Sequence, residues 1–82
     1  MNDTPVTIGS VRPGSIVKIA ERGVFSGSGR PLAQKKEITV IGHTLQVTSI
    51  TYPFHGVTIE SDTLPNETMV IIVKEAPDPL KN

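Results

Sequence analysis

The chain has no cysteine and no tryptophan among its 82 residues. Without cysteine there is no disulfide framework and no thiolate metal site. Small secreted domains usually rely on disulfides, so this absence points to a reducing compartment, and a cytoplasmic location is expected. The first ten residues, MNDTPVTIGS, show no basic region followed by an apolar core, so no signal peptide is expected. Residues 69–73 are apolar throughout, but such a run is far too short to span a membrane. No stretch of helical length places apolar residues at i, i+3, i+4 and i+7, which removes the amphipathic helix.

Catalytic signatures are lacking as well. There is no Gly-x-Ser-x-Gly elbow, no His-Glu-x-x-His and no pair of acids at an informative spacing. A nucleotide P-loop is excluded, because no Gly-Lys-Ser/Thr occurs and no strong helix follows a glycine-rich turn. His43 and His55 have no third ligand suggested beside them, so no metal site is expected. The expectation is a protein that is not an enzyme, with no cofactor and no small-molecule substrate. The pattern Asn66-Glu67-Thr68 matches a glycosylation acceptor, and without a secretory signal it is read as chance.

Net charge is zero, yet the signs are segregated. Residues 1–36 carry Arg12, Lys18, Arg22, Arg30, Lys35 and Lys36 against Asp3 and Glu21, a balance of +4. Residues 37–82 carry Lys74 and Lys81 against Glu37, Glu60, Asp62, Glu67, Glu75 and Asp78, a balance of −4. The two halves are expected to neutralise each other across one sheet. The other reading is a basic face and an acidic face.

What the chain does have is branched residues at a period of two. Ile38 and Val40 alternate with Glu37 and Thr39, and Val57 and Ile59 alternate with Thr58 and Glu60. Leu45 and Val47 alternate with Thr44, Gln46 and Thr48, and the phase then slips at Ile50. Branched side chains at that period suit a pleated, half-buried surface. The apolar run 69–73 is expected to be buried on both faces or to meet a partner. The pattern predicts five or six short strands, at 6–8, 15–20, 37–41, 44–50, 57–61 and 69–74. Eighty-two residues form a single small domain over 1–82. The fold class is all-β, a small, partly open antiparallel barrel.

Punctuation comes from turn residues. Pro13-Gly14 presets a turn before the second strand. Residues 22–36 hold three glycines and two serines from Gly23 to Gly29, and read as a flexible loop. Gly42-His43 reads as a tight turn or as a bulge where a strand bends. Residues 52–56, flanked by Thr51 and Val57, read as a hairpin loop, and residues 61–68 as a polar connector. The tail 76–82 contains two prolines and should leave the sheet, extended and mobile.

The Pro13-Gly14 opening, the long loop after the first full strand and the compact meander from Leu45 to Val73 resemble SH3-like small barrels, including KOW-type modules of transcription and translation proteins. An OB-like barrel is the alternative by strand count. The acidic and aromatic peptide-binding signature of true SH3 domains is absent, and so are the signatures of Sm-like rings.

Two functional readings follow. One is an interaction module that binds a protein partner or self-associates. It is motivated by the apolar run 69–73 and by the thin core of so short a chain. The other is a nucleic-acid-binding module. In that reading the basic loop, with Arg22, Arg30, Lys35 and Lys36, holds phosphates, and Tyr52 and Phe54, beside His55, stack bases. For Tyr52 and Phe54 the plainer reading is that a ring folds back to plug one end of the barrel.

Overall fold

The computed structural model describes residues 4–34, 36–54 and 57–77, with the backbone alone for 53–54 and 57–60. It is all-β. The strands are β1 (Val6–Thr7), β2 (Ile16–Ile19), β3 (Glu37–His43), β4 (Val47–Phe54), β5 (Val57–Pro65) and β6 (Met69–Lys74). A single 3-10 turn, Ile8–Ser10, follows β1. All pairings are antiparallel, in one sheet of order β1-β6-β2-β3-β4-β5.

The sheet is strongly curled. Pro65 ends β5 and Met69 begins β6, yet β4, β3 and β2 lie between those strands in the sheet. Four residues reach at most about 14 Å, so the sheet must bend round to bring its flanks together. Register shifts at Ile16/Val17, at Val40/Gly42 and at Tyr52/Pro53 mark where it bends. The expectation is a partly open barrel, and the sheet does not close into a barrel. Among the described residues β1 and β5 are edges, and no ladder joins them.

Non-strand segments fill that gap. Ile8 and Gly9 donate their N–H groups to the carbonyls of Thr68 (2.8 Å) and Asn66 (2.9 Å). A Cβ at Gly9 would lie 2.8 Å from the Asn66 Cβ, so only glycine allows this approach. The core between the flanks is built from Ile8, Val17, Ile38, Val40, Ile50, Leu64 and Val70, all essentially inaccessible, with Val11, Ile19, Leu32 and Tyr52 around them.

Several expectations about the strands need correcting. The hairpin turn between β3 and β4 lies at 44–46, closed by Thr44 N–H on the Val47 carbonyl (2.9 Å), one residue beyond Gly42-His43. Of the two readings of Gly42-His43 the bulge holds, since the register of β3 shifts between Val40 and Gly42. In β4 the inward residues are Thr48, Ile50 and Tyr52, whereas Leu45 is 98% exposed at the hairpin turn. Thr48 tolerates burial because its hydroxyl donates to Asn66 Oδ1 (2.8 Å). Strand β4 runs to Phe54, so Tyr52 stands in a strand rather than in a loop.

Strand β5 continues to Pro65, through what read as a polar connector. An edge strand accepts a terminal proline because no ladder bond is required of its nitrogen. Strand β6 is not buried on both faces: Val70 is buried, Ile71 and Ile72 are half-buried, and Val73 is 44% exposed. Of the tail, Ala76 is packed, with its N–H on Ser15 Oγ (2.9 Å), and 78–82 lie outside the described residues.

Candidate interaction surface

The residues singled out in the sequence fall in three places. Arg22, Arg30 and Lys36 are exposed on the segment between β2 and β3. Tyr52 is only 2% exposed, in the core face of β4. Lys35 and His55, and the side chain of Phe54, lie outside the described residues.

Arg30 and Lys36 are brought together by Tyr52. The Arg30 guanidinium carbon sits 5.4 Å from the ring centroid, and the Lys36 Nζ 5.0 Å. Both distances are within reach of a cation–π attraction. The ring is therefore a buried anchor that gathers two cations at the surface. It is a core residue, as the plainer reading of the aromatics had it. A base could not reach its face without displacing them.

Arg22 belongs elsewhere. It lines a groove of about 370 Å³ between residues 21–25 and the turn at 65–68. Val24, Phe25 and Pro65 supply its apolar wall, and Glu21 and Glu67 two carboxylates. Phe25, 57% exposed, was not singled out in the sequence.

The segment between β2 and β3 has definite hydrogen bonding. Gln34 Nε2 donates to the Ala20 carbonyl at its base (3.3 Å). Further out, Leu32 N–H bonds the Val24 carbonyl (3.0 Å), Phe25 bridges Pro31, and Ser26 N–H bonds the Arg30 carbonyl (2.9 Å). Gly29 closes the tip, its N–H on the Ser26 carbonyl (2.9 Å), at a φ of 85° that favours glycine.

This small hairpin rests on β5. Gly27 N–H donates to the Thr63 carbonyl (2.8 Å), and Ser28 N–H to Asp62 Oδ1 (3.2 Å). The Ser28 hydroxyl donates to Asp62 Oδ2. Thr63 N–H donates to Asp62 Oδ1 (2.8 Å). Burial raises the Asp62 pKa, but the bonds from Ser28, Ser26 and the Thr63 amide outweigh it and lower the value to about 2.

His43 is structural in position. Its Nε2 lies 2.9 Å from the Val11 carbonyl, which can only accept, so Nε2 carries a proton. Its Nδ1 lies 3.3 Å from the Thr48 hydroxyl. Among the described residues no three His, Asp or Glu side chains converge as metal ligands. No helix among them is long and apolar enough to cross a membrane. Arg12 and Glu75 form an ion pair, which joins the basic and acidic halves of the chain at one point.

A different surface carries the exposed apolar side chains. On the sheet face away from the core, β6 presents Ile71 and Val73, β2 presents Ile16, and β3 presents Ile41. Ile41 is 46% exposed, and Ile16 and Ile71 are half-buried between the strands. Ile41 and Val73 both sit at register shifts. The period-two reading could not place them, because a bulge resets which face each residue takes.

The chain matches no protein family, no curated protein and no solved structure.

Proposed function

We propose that the chain is a non-enzymatic interaction module, which binds a protein partner or a further copy of itself through the outward face of β6, β2 and β3. The observation that carries this is the set of Ile16, Ile41, Ile71 and Val73 on three adjacent strands, on the face opposite the core, with Lys18 opposite Ile71 and Lys74 opposite Ile16 among them. Apolar side chains clustered on neighbouring strands mark an interaction surface more specifically than scattered ones. Completing the burial of four half-covered side chains contributes about 1 kcal/mol each. About 4 kcal/mol per patch only just meets the cost of association, so the contact should be weak and concentration-dependent.

The order β6-β2-β3-β4-β5, with a long segment after β2, supports an SH3-like or KOW-type arrangement over an OB-like one. A cytoplasmic location accords with the absence of cysteine.

Sedimentation equilibrium across a hundredfold range of concentration tests the self-associating form. The expected result is a mass that rises above 8.8 kDa with concentration, and a Val73→Lys variant that stays at 8.8 kDa throughout. A constant monomer mass for the unaltered protein removes self-association and leaves a heterologous partner.

The nucleic-acid reading keeps one supporting observation, the pair of cations gathered at Tyr52. It loses Tyr52 as a stacking platform, because the ring is buried. Binding of short RNA or DNA that falls steeply with salt, and weakens with Lys36→Glu, would restore it.

A further inference from the structure

The hydrogen bonds at β5 describe more than a loop at rest. The Gly27 N–H takes, on the Thr63 carbonyl, the place that an amide of a neighbouring strand would take, and Ser28 bonds the Asp62 side chain beside it. Thr63 pairs with Ser49 on β4, and its own N–H and C=O are bonded on the other side, to Asp62 and to Gly27. Two residues along the same edge, Pro65 has no N–H to offer, and its carbonyl accepts from Thr68 N–H (3.1 Å). In the opposite direction Ser61 is the next residue of that parity. An edge left open at 61–63 would be a template for strand addition.

The fit is chemically specific. A Cβ at Gly27 would fall 2.2 Å from Thr63 Oγ1, so the main chain approaches at a position where a side chain would collide. The next residue must donate a side-chain hydrogen bond to Asp62, which Ser28 does. The base of the segment is held by Gln34 on the Ala20 carbonyl, by Leu32 in the core and by Val24 packed against it, so the part that rests on β5 is the tip at 26–29. Gly23, at a φ of 76° with nothing within 4 Å of a Cβ, leaves open space at the start of the hairpin.

We propose that the 61–63 edge of β5 is a strand-docking surface held shut in cis by the 24–32 hairpin, and that it fits an extended main-chain segment carrying glycine followed by serine or threonine. The cis occupant supplies the recognition chemistry. A partner segment replaces the Gly27 N–H on the Thr63 carbonyl and the Ser28 donors on Asp62, and the tip of the hairpin moves aside while Leu32 stays in the core. This surface is separate from the apolar face of β6, β2 and β3 and stands independently of it.

The test is amide exchange and chemical-shift mapping by NMR on the full chain. In the unaltered protein the Gly27 and Ser28 amides should exchange at least about tenfold faster than the Ile50 amide, because the hairpin opens without the core. If they exchange only together with Ile50, the hairpin is not separable and the proposal is overturned. Gly27→Pro removes the N–H that bonds Thr63 and should free the edge, with the Val40 and Ile50 amides still protected. A peptide of the sequence Val-Phe-Ser-Gly-Ser-Gly-Arg should then shift the Ser61 and Thr63 resonances in Gly27→Pro, at a concentration at least about tenfold lower than in the unaltered protein. The same peptide with valine in place of its first glycine should shift nothing. A folded Gly27→Pro whose Thr63 ignores the glycine peptide overturns the proposal, as does equal binding of the valine peptide. Should Gly27→Pro fail to fold, Gly27→Val, whose Cβ would fall 2.2 Å from Thr63 Oγ1, provides the opened form with Asp62 intact, and the same two outcomes apply to it.

Discussion

The β5 edge and the outward face of β6, β2 and β3 meet water with opposite chemistry. On the β5 side the main chain is sealed by polar groups: Gly27 on the Thr63 carbonyl, and Asp62 gathering Ser28 and the Thr63 amide. In β6, β2 and β3 each strand is paired with its neighbour, with bulges at Val73 and Ile41, but on the outward face Ile16, Ile41, Ile71 and Val73 are left partly in water. An unsatisfied main-chain group in an edge is costly and invites any strand, so the chain closes it within itself. A half-exposed isoleucine costs about 1 kcal/mol of burial forgone, which a folded monomer can sustain. The polar flank is specific and the apolar face is permissive. Substitutions on the two should therefore differ in kind as well as in size.

Leucines give the largest contrast. Leu64 lies in β5 and is fully buried, whereas Leu45 is 98% exposed at the β3–β4 turn. Leu64→Ala should cost about 2–5 kcal/mol in urea denaturation, as large-to-small changes in a packed core do. Leu45→Ala should change stability by less than about 0.5 kcal/mol. Equal costs would mean that Leu45 is covered in solution, and would make the hairpin turn part of an interface.

Asp62→Asn comes next, and it probes the polar seal alone. The loss of charge-assisted bonds from Ser28 and Thr63 should cost about 1 kcal/mol, a modest figure because the carboxylate is partly exposed. The sign with pH follows from the lowered pKa. The folded carboxyl titrates at about 2, below its ordinary value of 3.8, so the unfolded chain takes up the proton first as pH falls. The stabilisation is fully present above the ordinary value, and it disappears as pH falls through about 2. Unfolding followed between pH 6 and 2 should show a steeper acid loss in the unaltered protein than in Asp62→Asn. Parallel curves would separate Asp62 from the seal.

The same contrast explains what could be read in the sequence. Strand β6 was legible at both ends, 69–74, because Thr68 and Glu75 bracket an unbroken branched run. The alternation of Ile38 and Val40 with Glu37 and Thr39 was legible, since no bulge precedes Ile41. The inward face of β4 was not. Leu45 and Val47 suggested one phase, while Thr48, Ile50 and Tyr52 take the other. The buried threonine depends on Asn66, eighteen residues away, which no local pattern carries. Of the basic residues, Arg30 and Lys36 do meet, but around a core tyrosine that the sequence could also place in a loop. Asp62 was invisible as a latch, because its partners are a backbone amide and serines in a distant glycine-rich segment.

The smallest expected effect on stability falls on the apolar face, and it is the most informative about association. Val73→Lys places an ammonium beside Ile71 and Ile16, on a strand whose ladder to β2 stays intact. Since Val73 is already 44% exposed, the folded monomer loses little, within about 0.5 kcal/mol by thermal unfolding at low concentration. In any contact that buries this face the same ammonium must be desolvated or excluded, which costs far more than the valine contributed. Unfolding temperature measured against protein concentration therefore separates the two states. A rise with concentration in the unaltered protein that vanishes in Val73→Lys assigns the stabilisation to association through this face, by mass action. A rise that survives the substitution moves the contact elsewhere, and the β5 edge is then the surface to examine.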